Sequence, residues 1–316
     1  MFLDISLLLI GFVFLIKGAN WLVDGASSLA RKNNISDLAI GLTIVAFGTS
    51  APELVVNSIA SFQGHQDIVL GNVIGSNNFN LFIILGIAGL IYPMTVQSST
   101  VWKEIPISFL AAILFLFFAN DIFSSQNPVI SRLDGGILLL LFLGFLFYVY
   151  KQLKSEPNQI AQTDEFSNRK ITIYILLGLT GLVLGGKFVV SGATEIAITL
   201  GLSEKIIGLT IVAAGTSLPE LATSVVAAFK KNNDIAIGNI IGSNIFNIFF
   251  ILSISSLIRP IEYDPIFNTD LLILIGGTVL LFVAMFTGKR KQLDRWESAL
   301  LLVTYIGYLV YVISKI

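Results

Sequence analysis

The chain has 316 residues, of which 55% are hydrophobic and only 12% charged, with a mean hydropathy of +0.86 and a formal net charge of -1. Such a composition cannot wet the surface of a soluble domain, so a membrane is the natural solvent. No cysteine is present, which excludes thiol redox chemistry and thiolate metal ligation, and no long basic run offers a footing for nucleic acid.

About ten apolar stretches are long enough to cross a bilayer, near residues 5–30, 37–62, 68–92, 103–120, 134–151, 171–198, 205–229, 235–258, 268–287 and 296–314. They are continuous and lack the alternation of a membrane β-barrel, so they predict helices and an all-α polytopic fold. The first stretch carries Lys17 and no clear small-residue cleavage site, which marks a retained span rather than a signal peptide. With ten spans, Arg31, Lys32, Lys103, Lys151, Lys154, Arg169, Lys170, Lys230, Lys231, Lys289, Arg290, Lys291 and Arg295 fall on one side, and only Arg132, Lys205, Arg259 and Lys315 on the other. The first side is therefore predicted to be cytoplasmic and both termini outside.

The second stretch contains Gly48-Thr49-Ser50-Ala51-Pro52-Glu53, and the third Gly71-Asn72-Val73-Ile74-Gly75-Ser76-Asn77-Asn78-Phe79-Asn80. A polar connection over residues 151–170 reads as a cytoplasmic linker, too short to hold a folded domain. Beyond it the pattern returns as Gly215-Thr216-Ser217-Leu218-Pro219-Glu220 and Gly238-Asn239-Ile240-Ile241-Gly242-Ser243-Asn244-Ile245-Phe246-Asn247. Gly25 and Gly192, Glu53 and Glu220, Asp67 and Asp234, and Asn80 and Asn247 are all 167 positions apart, with no gap between them. About half the positions from Gly25 to Asn80 are identical to their partners. Residues 1–150 and 171–316 thus form two halves of five spans each. An odd number inserts the second half upside down, which gives two inverted-topology repeats.

Pro52 and Pro219 lie mid-span, where a proline lacks its amide donor and clashes with the carbonyl four residues back, at Gly48 and Gly215. Each helix is expected to kink or break there and free carbonyl oxygens for a ligand. An acid follows each break, and a charge at the bilayer centre costs about 2.5–3.5 kcal/mol on insertion scales. A simple kink calls for no such acid, so Glu53 and Glu220 are read as functional. Thr49 and Ser50 share a helical face with Glu53, as do Thr216 and Ser217 with Glu220. Ser76 and Asn80 are one turn apart, as are Ser243 and Asn247. Brought together by a pseudo-twofold axis, these segments offer only oxygen ligands, which suits hard cations such as Ca2+. The bland readings are helix packing for Gly71, Gly75, Gly238 and Gly242, and bonding back to helical carbonyls for Ser76, Ser243, Thr49 and Thr216. His65 reads as a solvated loop residue. Lys17 matches Leu184 in the repeat and so falls outside any symmetric site.

At these motifs the sequence closely resembles the Ca2+/cation antiporter superfamily, and within it the prokaryotic sodium/calcium exchangers. The two α-repeats of that family match residues 39–90 and 206–257. The resemblance implies an integral protein of a prokaryotic cell membrane that is no enzyme, needs no cofactor or obligatory protein partner, and exchanges Na+ for Ca2+ by alternating access. It implies that Glu53, Glu220, Asn80, Ser76, Ser243, Ser50, Ser217, Thr49 and Thr216 are the ligands, with backbone carbonyls from Ala46 and Ala213. It also implies that spans one and six slide as a pair over a fixed core of spans two, three, seven and eight. Many family members carry an aspartate where this chain has Asn247. The alternatives are a Ca2+/H+ antiporter of the same architecture, in which the two glutamates would carry protons, and a cation channel, which has no need of two exchangeable halves.

Overall fold

The computed structural model describes residues 2–120, 128–152, 166–200 and 213–313. Helix α1 (Phe2–Lys32) ends on Arg31 and Lys32, cations that suit the negative end of a helix dipole. Its 31 residues make a rod of roughly 46 Å, longer than the hydrocarbon core of about 30 Å, so it tilts or projects beyond the membrane. Helix α2 (Asp37–Thr49) starts at Ser36, whose hydroxyl accepts the Ala39 amide at 3.2 Å, and meets α3 (Ala51–Gln63) at a 47° bend. There follow α4 (Gln66–Ile91), α5 (Thr100–Ala119) and α6 (Arg132–Gln152). The second half begins with α7 (Asn168–Thr199), capped by the Ser167 hydroxyl on the Lys170 amide at 3.3 Å. It continues through α8 (Ala213–Thr216), α9 (Leu218–Phe229), α10 (Asn233–Ile258), α11 (Pro265–Ala284) and α12 (Arg295–Ile313).

Among the described residues seven helices are long and apolar enough to cross a membrane, or eight when the bent pair α2 and α3 is counted as one span. The stretch expected at 296–314 is α12, a helix of 19 residues. Of the stretch expected at 205–229, α8 and α9 are described, and its beginning through residue 212 lies outside the described residues. Most of the expected linker, 153–165, also lies outside them, as do Lys154, Lys205 and Lys315.

The fold departs from all-α in two short antiparallel ribbons. One pairs β1 (Met94–Thr95) with β4 (Gln292–Leu293), and the other pairs β2 (Val129–Ile130) with β3 (Ile261–Glu262). β1 and β3 are repeat counterparts, so each ribbon joins a strand of one half to a strand of the other. Two-residue strands leave no alternation in the sequence to betray them.

Helices α4 and α10 form the centre. Of their most apolar stretches 67% and 94% is buried, against 28% for α1 and 33% for α7, which lie at the periphery. A ring cluster joins α10 to its neighbours: Phe142 on α6 packs 4.8 Å from both Phe246 and Phe250, and Phe47 on α2 packs 6.0 Å from Phe246. The outer pair α1 and α7 cross backbone to backbone. A methyl group added at Gly18 would lie 2.8 Å from the Gly178 carbonyl, and one at Gly11 would lie 2.9 Å from that of Gly185. Gly25 meets Ile175 and Gly192 meets Leu8, so residue numbers rise on one helix as they fall on the other. These repeat counterparts therefore run antiparallel, with glycines permitting the approach.

Candidate cation site

Each break falls on a serine. Ser50, between α2 and α3, has φ -83° and ψ 5°, and Ser217, between α8 and α9, has φ -86° and ψ 6°, so the two repeats break in the same conformation. Pro52 and Pro219 do not sit at the break itself but in the first turn of the following helix, where a missing N–H costs nothing. Glu53 and Glu220 consequently stand in the first turns of α3 and α9, where the positive end of the dipole favours a carboxylate. Both are only 1% exposed.

The serines cross between halves. Ser50 Oγ donates to Glu220 Oε1 at 2.8 Å and lies 3.0 Å from Ser243 Oγ, which is itself 3.4 Å from the same carboxylate oxygen. Ser217 Oγ donates to Glu53 Oε1 at 3.3 Å. The threonines are braced in the same reciprocal way. Thr49 Oγ1 donates to Asn239 Oδ1 at 2.9 Å, and Asn72 Nδ2 donates to Thr216 Oγ1 at 3.2 Å. Behind them Asn57 Nδ2 donates to Asn72 Oδ1 at 2.7 Å, and Asn239 Nδ2 donates to Ser224 Oγ at 3.0 Å.

Between α4 and α10, Asn77 Nδ2 donates to the Asn244 main-chain carbonyl at 3.4 Å, and Asn244 Nδ2 returns the bond to the Asn77 carbonyl at 3.4 Å. Asn80 Nδ2 donates to Asn244 Oδ1 at 3.1 Å and Asn247 Nδ2 to Asn77 Oδ1 at 2.9 Å. Residue i of one half meets j of the other, and their counterparts meet in exchange, which is the contact pattern of a twofold axis. Asn80 and Asn247 also lie in π-helical turns, Phe79–Ile84 and Asn247–Leu252, a local widening that recurs at functional sites.

The acceptors left over share one chemistry. Glu53 Oε2, Glu220 Oε2, Asn80 Oδ1, Asn247 Oδ1 and Ser76 Oγ, together with Asn57 Oδ1 of the bracing layer, are among the buried oxygens that have no hydrogen-bond partner among the described residues. A buried unsatisfied polar atom costs about 1–3 kcal/mol, more when charged, and a cation satisfies several oxygens at once. Among the described residues no group of three or more His, Cys, Asp or Glu gathers, so two carboxylates carry the charge of this cluster.

Of the sequence-predicted residues, Ser50, Ser243 and Glu220 form one hydrogen-bonded group and Ser217 with Glu53 a second, while Asn80 and Asn247 are linked through Asn77 and Asn244. Ser76 is buried on α4. The Ala46 carbonyl already accepts the Ser50 amide at 3.0 Å and lies 3.3 Å from the Thr49 hydroxyl oxygen. Ala213 opens α8 at the edge of the described residues. His65 and Lys17 are exposed. Sequence reasoning did not single out the bracing asparagines Asn57, Asn72, Asn77, Asn239 and Asn244. The signal lay in the motifs themselves, since Asn72 with Asn239 and Asn77 with Asn244 keep the repeat spacing of the ligand candidates.

The model of the family described as sodium/calcium exchanger protein matches residues 3–151 and 170–314. The chain belongs to the sodium/calcium exchanger family. It is 34% identical over 342 residues to the sodium/calcium exchanger MaX1 of Methanosarcina acetivorans, covering 96% of this chain and 97% of that one. It is likewise 34% identical over 322 residues to the inner membrane protein YrbG of Escherichia coli K12, covering 98% and 96%. Among solved structures it resembles the sodium-calcium exchanger NCX_Mj in crystals soaked with Na+ and Ca2+, at 33% identity, a TM-score of 0.84 and 98% coverage of both chains. As a member of this family the chain is an integral membrane ion exchanger rather than an enzyme, and its cargo is small cations.

Proposed function

We propose that this exchanger is a secondary antiporter that uses a Na+ gradient to move Ca2+, with ten spans arranged as two inverted halves around one shared site. The observation that carries the reading is the set of unpartnered buried oxygens on Glu53, Glu220, Asn80, Asn247 and Ser76, on segments joined by reciprocal hydrogen bonds between the halves. In this reading Ca2+ binds between the two carboxylates and the two amide oxygens. Na+ occupies the same cage and its flanks, where Ser50, Ser217, Ser243, Thr49 and Thr216 supply hydroxyl oxygens and Ala46 and Ala213 supply carbonyls once the local helix opens. The hydroxyls argue for Na+ as the driving ion, because a proton carrier needs only the carboxylates.

Alternating access is supported by the packing. The glycine-lined pair α1 and α7 is peripheral and antiparallel, and α7 passes close over both breaks: a side chain at Gly48 would run into Leu179 and one at Gly215 into Val190. In the proposed cycle the pair slides over the buried core and covers the cage from one side and then the other. In this reading residues 151–170 lie in the cytoplasm and both termini outside a prokaryotic inner membrane, an orientation that the excess of Lys and Arg on one side supports.

The test is 45Ca2+ uptake into proteoliposomes loaded with Na+ and diluted into sodium-free or sodium-rich buffer. Uptake is expected only with an outward Na+ gradient. Uptake that ignores Na+ and follows an imposed pH gradient would make the protein a Ca2+/H+ antiporter instead.

A further inference from the structure

An asparagine serves as a cation ligand only through its oxygen, so a cage with Asn at both central positions needs something to decide which end of each amide faces inward. Asn77 and Asn244 are placed to decide it. Both are buried, at 0% and 4% exposure. The Nδ2 of each reaches the other's main-chain carbonyl at 3.4 Å. Because a carbonyl oxygen can only accept, the NH2 group of each side chain must point to it, and its Oδ1 must point the other way. There Asn77 Oδ1 meets Asn247 Nδ2 at 2.9 Å, and Asn244 Oδ1 meets Asn80 Nδ2 at 3.1 Å. The NH2 groups of Asn80 and Asn247 are thereby engaged, and each residue is left with its Oδ1 buried and unpartnered. Four amides thus form one network with a single consistent set of directions, fixed at its base by two backbone carbonyls.

We infer that Asn77 and Asn244 are positioning residues that hold the amides of Asn247 and Asn80 carbonyl-inward, and so set the central site to accept a cation. The inference rests on the proposal that the cage binds Ca2+. Without the brace an amide turns by half a rotation and presents its NH2 to the ion, which replaces a ligand with a repulsive dipole. An aspartate in place of Asn247 has two equivalent oxygens and needs no orientation, so it makes Asn77 dispensable. The same holds for an aspartate in place of Asn80 with respect to Asn244.

The experiment is a double-mutant cycle read by equilibrium 45Ca2+ binding to purified protein that elutes as a single species. Asn77→Ala is expected to weaken Ca2+ binding about tenfold in the otherwise native chain, the loss of one charge-assisted contact. In the Asn247→Asp background the same change is expected to shift affinity by less than about threefold. Asn244→Ala, with and without Asn80→Asp, repeats the cycle at the other pair, so a folding failure in one cycle leaves the other to decide. Unchanged affinity in Asn77→Ala, or an equal loss in both backgrounds, would overturn the inference while leaving the Ca2+ site in place. A native chain that binds no Ca2+ would remove the proposed function and this inference together.

Discussion

Ser50 on one repeat donates a 2.8 Å hydrogen bond to Glu220 on the other, and the exchanged pair, Ser217 to Glu53, closes at 3.3 Å. Each carboxylate is therefore held by the hydroxyl at the other half's helix break. The proposed site is accordingly one cage shared by both halves, which neither half alone would complete. A duplicated sequence could equally have given two separate sites, one per repeat, and this crossing is the observation that favours one.

The crossing predicts non-equivalent serines. The bond to Glu220 is the shorter, and Ser50 also touches Ser243 at 3.0 Å. Ser50→Ala is expected to raise the Na+ concentration for half-maximal Ca2+ release more than Ser217→Ala does, by several-fold, since a hydrogen bond to a charged group is worth about 1.5–3 kcal/mol. Sodium titration of 45Ca2+ release from proteoliposomes measures it, and identical curves for the two variants would remove the asymmetry from the account.

Replacing either glutamate by glutamine keeps the shape and removes a charge. Glu53→Gln and Glu220→Gln should each reduce Na+-driven Ca2+ transport at least about a hundredfold, because one remaining carboxylate cannot balance a divalent ion in low dielectric. The fold should survive, since a buried charge costs stability rather than supplying it. Transport rates paired with thermal melts of the detergent-solubilised variants separate the two effects.

The sequence marked the candidate site residues more sharply than the local breaks and ribbons of the fold. The 167-residue spacing and the two Gly-Thr-Ser-x-Pro-Glu motifs placed Glu53 and Glu220 together because a buried acid is costly enough to leave a strong mark. The position of the break was less legible: proline suggested a disruption reaching back to Gly48, and the chain turns instead at Ser50, leaving Pro52 in a comfortable first-turn position. The bracing role of Asn77 and Asn244 depends on which atoms face a backbone carbonyl across the axis, and no spacing along one chain reveals that. The ribbons at Met94–Thr95 and Val129–Ile130 are too short for a period.

Because the chain lacks cysteine, cross-links can be introduced without background. A Cβ at Gly215 would lie 3.5 Å from Val190 Cβ, within the span of about 3.5–4.5 Å that a disulfide bridges, whereas a Cβ at Gly25 would lie 3.1 Å from Tyr174 Cβ, a contact that opens by a few tenths of an ångström to take the bridge, between the two helices proposed to slide together. Oxidation of Val190→Cys with Gly215→Cys is expected to stop Ca2+ exchange reversibly. Oxidation of Gly25→Cys with Tyr174→Cys should leave most of it, and an arrest by the second bridge equal to that by the first would contradict sliding of α1 and α7 as one body.

Two ionised glutamates neutralise one Ca2+, and three Na+ among the same ligands leave one positive charge in excess. If exchange is three for one, a membrane potential acts on turnover with about 2.3 kcal/mol per charge per 100 mV. Ca2+ uptake driven by internal Na+ should then speed up when a potassium-valinomycin potential makes the vesicle interior positive. Indifference to the clamped potential would point to an electroneutral exchange of two Na+ for one Ca2+.

The most direct test of a single site shared by both halves is equilibrium 45Ca2+ binding to the purified protein, titrated with Na+ and repeated in Glu53→Gln and in Glu220→Gln. About one Ca2+ per chain is expected, displaced by Na+ and lost in each variant alone. Two Ca2+ per chain, with one surviving each substitution, would show that the repeats bind separately and would contradict the single shared site.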